Sequence, residues 1–161
     1  MEQLFESENI RYVRVSESLV KDYLEMVNDI EHVARLIGRR SEPVSEEKEI
    51  RWVRRKLEEG AALFSMLEKR SGEFIGNIEL MDVTGTEGEL GVAITAAKQD
   101  RGFGTEAVRA VVAYALEHLG LRRIFLKVYP DNARAIRCYE KCGFREYART
   151  DEDVLMEFTR D

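Results

Sequence analysis

The chain of 161 residues is short of cysteine, proline, histidine and tryptophan, with two, two, two and one of each. Cys138 and Cys142 stand four apart with no second pair to complete a zinc site, so both are expected as reduced thiols that help pack a helix. His32 and His118 are isolated in sequence, and no metal is expected. With so little proline and no low-complexity tract, the sequence offers no disordered linker. No apolar run approaches the length that spans a bilayer. Residues 1–6 carry neither the basic flank nor the apolar core of a secretory signal, so the expectation is a soluble, cytoplasmic protein. Positive charge is also in deficit, 25 Lys and Arg against 31 Asp and Glu, a net charge of −6. That balance disfavours non-specific binding to nucleic acid or to an anionic membrane, and mildly suits a cationic substrate such as an amine.

What is present describes one domain over residues 1–161, with 44% hydrophobic and 35% charged residues and length enough to bury a core unaided. Residues 10–15 alternate apolar and polar as a half-buried strand does, with Ser16 placed to cap a helix. Apolar residues at helical spacing from 19 to 37, with Gly38 as a stop, predict one long or broken helix. The stretch Arg39, Arg40, Ser41, Glu42, Pro43 reads as a connection, and Ser45 opens a second helix that ends at Gly60. Strands at 62–68, 74–81 and 88–94 are expected as an antiparallel meander. A third helix runs to Gly120, and a central strand covers 124–128. A fourth helix capped near Asn132 stops at Gly143, and two final strands follow. The order is mixed α/β with no internal repeat.

The most informative stretch is Gln99, Asp100, Arg101, Gly102, Phe103, Gly104, Thr105, between a strand and a helix. Glycine permits unusual dihedrals and close approach, and a helix that begins here directs unpaired N–H groups and its positive dipole end at an anion. A phosphate-bearing cofactor is the first reading. A Walker-type loop fails, because one residue separates the glycines and no Lys-Ser or Lys-Thr follows. A dinucleotide fold accepts Ala107 in place of a third glycine, but the chain lacks a second doubly wound half. A plain strand-to-helix turn remains the bland alternative.

The loop Gln99-x-x-Gly102-x-Gly104, with the downstream Asn132-x-x-Ala135-x-x-x-Tyr139-Glu140-Lys141-x-Gly143-Phe144, resembles the GNAT superfamily of acetyl-CoA-dependent N-acetyltransferases. Glu89-Leu90-Gly91 and Gly104-Thr105-Glu106-Ala107 look most like the branch of ribosomal-protein N-terminal and spermidine acetyltransferases. The resemblance implies a central, mostly antiparallel sheet flanked by about four helices, in which strand 90–94 splays from strand 124–128 to leave a V-shaped cleft. Backbone groups of Val92, Ala93 and Ile94 would pair with the pantetheine arm of acetyl-CoA as an added strand does. N–H groups from Arg101 to Thr105 would hold its pyrophosphate, Arg101 adding charge and Asn132 a further contact.

The same resemblance implies a chemistry without metal or acyl-enzyme. Tyr139, which periodicity alone reads as a core aromatic, corresponds to the family tyrosine near the thioester sulfur and would serve as general acid to the CoA thiolate. The Val92 N–H would polarise the carbonyl. Glu89, with Glu79 as runner-up, is the candidate base for a primary amine of a small molecule, a polyamine or a protein N-terminus; for either, a plain surface carboxylate is the competing reading. Residues 27–43, with Asp29, Glu31, Arg35, Arg39 and Arg40, occupy the usual acceptor wall. Family members often dimerise. The alternative function is an inactive acyl-CoA-binding or regulatory module.

Overall fold

Eight strands lie in one sheet of the computed structural model, which describes residues 1–38 and 41–160. In chain order they are β1 (Gln3–Glu6), β2 (Ile10–Arg14), β3 (Ala62–Glu68), β4 (Phe74–Met81), β5 (Glu87–Ile94), β6 (Arg123–Val128), β7 (Arg145–Arg149) and β8 (Val154–Thr159). They are arranged β1-β2-β3-β4-β5-β6-β8-β7, and every neighbouring pair is antiparallel except β5 with β6. The α-helices among the described residues are α1 (Val20–Val27), α2 (Glu46–Glu59), α3 (Phe103–His118) and α4 (Ala133–Lys141). The expected mixed α/β architecture and the β3-β4-β5 meander are both present.

Alternation along the strands divides the apolar residues between two cores. One holds Phe64, Met66, Ile78, Leu80, Leu90, Leu126 and Met156 with Ala107, Val108, Val111 and Ala115 of α3. The other packs Val13, Leu63, Leu67 and Phe74 with Val20, Tyr23 and Met26 of α1 and Val53 of α2. Each fully buried large side chain contributes about 1.5–3 kcal/mol, so the sheet is held from both faces.

Two elements refine or differ from the sequence reading. Of the two readings of 19–37, one long or a broken helix, the structure has the broken one: α1 stops at Val27, and only a 3-10 turn, Ala34–Leu36, follows. Asn28 takes the chain out of the helix by clasping Val44, donating Nδ2 to its carbonyl at 3.0 Å and accepting its N–H at 2.7 Å. Asp29 then caps the next turn by accepting the His32 N–H at 3.0 Å. The second difference is β1, an edge strand with no clean alternation, which is fixed instead by Phe5 stacking on Tyr12 and Tyr114 at 4.3 and 5.0 Å. Arg39 and Arg40, expected in the connection before α2, lie outside the described residues.

Candidate functional site

β5 and β6 pair only from Glu87, Gly88 and Glu89 to Arg123, Ile124 and Phe125. Beyond that, β5 continues along β4 as far as Ile94 opposite Gly76, while β6 follows β8 as far as Val128 opposite Val154. The two parallel strands therefore diverge. The β3-β4 register shifts between Met66 and Leu67, on the β4 side of this split. Gly76 lets β4 close on the Ala93 carbonyl, because a Cβ there would collide with that oxygen. The result is a cleft of about 760 Å³.

The backbone edge that faces the cleft follows from alternation. The Thr95 N–H donates to the Ile75 carbonyl of the β4 segment at 2.9 Å. Counting back by twos, Ala93 and Gly91 turn their polar groups to β4, and Val92 and Ile94 turn theirs into the gap. Val92, Ala93 and Ile94 all line the cleft.

At the mouth, α3 begins on Gly102, whose φ of +87° is a left-handed conformation that disfavours any side chain. No side chain caps this helix, and the first intrahelical bond is from Glu106 N–H to the Gly102 carbonyl at 3.1 Å. The N–H groups of Phe103, Gly104 and Thr105 are thus left without helical acceptors. Gly104 and Thr105 line the cleft, and a Cβ at Gly104 would make an ordinary contact 3.7 Å from Cys138 Sγ of α4. Phe103 points its ring into the core and offers only backbone.

Of the other loop side chains, Asp100 lines the cleft and pairs its Oδ2 with Arg134 Nη1 at 3.2 Å, while its neighbours are engaged elsewhere. Arg101 lies over the Phe103 ring at 5.3 Å, with Nη2 3.6 Å from Glu68 Oε2. Gln99 Nε2 donates to the carbonyls of Ile94 and His32 at 2.9 and 3.2 Å. Lys98 is buried between Glu68 and Glu73, with Nζ 2.8 and 2.9 Å from their Oε1 atoms. Asn132 caps α4, its Oδ1 accepting the Ala135 N–H at 3.3 Å, and it lines the cleft.

Tyr139 also lines the cleft, only 7% exposed and tilted against Phe144 at 5.9 Å. Burial pushes its phenol well above the ordinary value, helped by Cys138 and Cys142, so it is a neutral donor at physiological pH. Cys138 lines the cleft beside Thr105, whose Oγ1 is 3.5 Å from Sγ. A hydrogen bond from Cys142 holds the Cys138 thiol below its ordinary range and raises that of Cys142.

The two candidate bases are separated by their partners. Glu79 is opposite Gly91 and forms an ion pair with Lys56 at 3.4 Å. Glu89 is opposite Met81 and lines the cleft.

Further lining comes from places the sequence reading did not single out. Arg134, Arg137 and Lys141 present a basic edge of α4 at i, i+3 and i+7, and Glu152 and Asp153 enter from the β7-β8 turn. The helical spacing of the three cations was visible in sequence, whereas nothing local points from Glu152 to a cleft formed far upstream in the chain. Of the expected acceptor wall, His32, Val33, Leu36, Ile37 and Gly38 line the opening.

A family model described as an acetyltransferase (GNAT) domain matches residues 9–145. The chain is 27% identical over 93 residues to spermidine N(1)-acetyltransferase of Vibrio cholerae, which covers 56% of this chain and 54% of that protein. The chain spans about half the length of the curated relatives it matches. Among solved structures, a GNAT-family acetyltransferase from Bacillus anthracis superposes with a TM-score of 0.84 at 18% identity, covering 96% of both chains. Spermidine N-acetyltransferase from Vibrio cholerae, solved in complex with CoA and spermine, gives 0.81 at 20% identity, over 95% of this chain and 96% of that one.

Proposed function

The chain belongs to the GNAT acetyltransferase family, and from that premise we propose that it transfers an acetyl group from acetyl-CoA to a primary amine by direct attack in a ternary complex. The observation that carries the reading is the β5-β6 split, with free backbone groups along one wall and the uncapped start of α3 at its mouth. An extended amide-bearing arm fits the Val92 edge as an added strand, and a pyrophosphate fits the N–H groups of Phe103, Gly104 and Thr105. Arg137 and Lys141 supply positive charge on the facing helix, where Arg134 is paired with Asp100. Arg101 acts on this site through Glu68 and Phe103 rather than by reaching an anion itself.

In the reaction the Val92 N–H polarises the acyl carbonyl as a one-donor oxyanion site. Tyr139 gives a hydrogen bond or proton to the departing thiolate, the form its burial favours. An ammonium has no lone pair, so the acceptor must lose a proton before attack. Glu89, on the cleft and without the lysine that occupies Glu79, takes that proton through water. The acceptor is a small molecule, a polyamine or a protein N-terminus, consistent with the carboxylates of Glu89, Glu152 and Asp153 on the cleft wall.

Thermal-shift titration with CoA, acetyl-CoA and NAD, followed by thiol release with a panel of amines, tests this. Stabilisation by both CoA species but not by NAD, with thiol release promoted by an amine, is the expected result. No stabilisation by either CoA species would sink it. Binding without thiol release for any amine would favour an inactive acyl-CoA-binding module.

A further inference from the structure

One face of the β4-β5 pair carries a polar group that the acetyl-transfer steps leave unused. Asn77, Glu79 and Met81 of β4 share that face and stand opposite Ala93, Gly91 and Glu89 of β5, all three of which line the cleft. Met81 lines it too, and Glu79 is held by Lys56 at 3.4 Å. Asn77 remains, half-buried and uncharged. Side chains directly opposite on paired strands have Cβ atoms about 5 Å apart, which sets the Asn77 amide beside the cleft wall at Ala93.

That amide is held in one orientation by a chain of hydrogen bonds. The Ser16 N–H donates to the Tyr23 hydroxyl at 3.2 Å, and the hydroxyl gives its own proton to Ser65 Oγ at 2.6 Å. Ser65 in turn donates to Asn77 Oδ1 at 2.8 Å. Tyr23 and Ser65 are fully buried, so running the chain the other way would leave the Tyr23 proton without an acceptor. Ser65 is the β3 partner of Asn77 and Ala93 is its β5 partner. With Oδ1 turned toward β3, Nδ2 is turned away from it, on the side of β5. Among the described residues no acceptor takes its two hydrogens.

We propose that Asn77 is a specificity-determining residue that selects acceptor amines carrying a carbonyl or hydroxyl oxygen beside the amino group, over plain alkyl polyamines. The proposal rests on the acetyl-transfer reading above. A protonated polyamine brings only N–H donors, which cannot bond to Nδ2, whereas an amino-amide or amino alcohol brings oxygen lone pairs. The carboxylates on the cleft attract every ammonium, so the sorting falls to a neutral group whose polarity is fixed.

Steady-state thiol release with alaninamide, a trialanine amide and putrescine as acceptors tests the selection, the first two telling a free amino-amide from a peptide N-terminus. One hydrogen bond of ordinary strength is worth roughly fivefold, so in the wild-type chain at least one oxygen-bearing amine should exceed putrescine in kcat/KM by about fivefold or more. Asn77→Asp keeps the acceptor for Ser65 but replaces both donors with a charged oxygen, and should lower that ratio at least about tenfold, chiefly through KM. Ser65→Ala frees the amide to turn and should lower the ratio about threefold or more with Asn77 intact. A ratio cancels any loss of folded protein, and a purely structural role for the chain would slow all three amines alike. A ratio within about twofold of wild type in both variants overturns the selection alone, as does wild-type transfer to putrescine without transfer to either oxygen-bearing amine. Thiol release with none of the three overturns the selection and the transfer reading together.

Discussion

Removing the Tyr139 hydroxyl separates catalysis from folding more cleanly than other changes at the cleft. The ring packs in the core against Phe144, but no hydrogen bond ties the hydroxyl to another described residue. Tyr139→Phe therefore strands no buried partner and keeps the apolar contact, so stability should change by less than about 0.5 kcal/mol. For a chain of this size that is a Tm shift of within about 2 °C. CoA affinity should be similarly unmoved, since on the proposed mechanism the hydroxyl acts on the thiolate that forms during transfer. Turnover is different: a positioned general acid is worth about a hundredfold or more, so kcat should fall by at least about 100-fold, equivalent to about 2.7 kcal/mol. The raised phenol sets the pH behaviour as well. The protonated form persists to higher pH than in a free tyrosine, so Tyr139 should cause no decline in rate between about pH 6 and 9. Differential scanning fluorimetry, CoA calorimetry and steady-state thiol release measure the three quantities. An unchanged kcat refutes Tyr139 as the acid, and a fall in Tm of many degrees refutes the claim that its hydroxyl is free.

Gly102→Ala places a Cβ in open space but at a φ of +87°, so its cost is backbone strain of about 1–2 kcal/mol. Thermal unfolding should show that loss together with weaker CoA binding, and full stability would argue against the left-handed start of α3. Gly143→Ala adds a clash to the strain, with Phe158 Cε2 and Cδ2 3.1 and 3.3 Å from the new Cβ, whereas Gly120→Ala meets nothing. Gly143→Ala should therefore lower Tm more, and equal shifts would refute the contact. Lys98, hydrogen-bonded to Glu68 and Glu73, holds both carboxyls below their ordinary range. Their contribution is present above the unfolded carboxylate pKa and is lost as pH falls through the folded value. Glu68→Gln should flatten that acid decline in a denaturant series, and an unchanged acid limb would remove Glu68 as its source.

Most of the fold was legible because its signals are local. Ser45 before α2, glycine at 60 and 143, the apolar run of β3 and the two-residue alternation along β4 and β5 each constrain the backbone where they stand. A broken helix was one of the two readings of 19–37, but the place of the break after Val27 was hidden because apolar spacing continues to Ile37, while the cause lies in Asn28 reaching Val44. β1 was hidden because its partners, Tyr12 and Tyr114, come from distant segments. The same division holds in the cleft. Gly102 and Gly104 at the start of α3 and the Asn132 cap of α4 are local features and could be read directly, but the side-chain directions of Arg101 and Gln99 depend on Glu68 and His32.

The sign of the whole chain is a poor guide to the sign at either end of this cleft. A net charge of −6 would by itself oppose a polyphosphate. The α3 N-terminus and the cations Arg137 and Lys141 oppose that field locally, within about one Debye length of 8 Å, whereas the charge of Arg134 is met by Asp100. On the α1-α2 side the carboxylates divide by partner. Glu79 is met by Lys56, and Glu87 and Glu157 by Arg123, so those charges are spent within the protein. Glu89, Glu152 and Asp153 line the cleft instead and leave a negative field where an amine would arrive. An ammonium is drawn toward them but is also held protonated by them, which opposes attack. On the proposed mechanism the acceptor end must therefore both attract a cation and relay its proton away, the part proposed for Glu89, which stands on β5 opposite Met81 and lines the cleft.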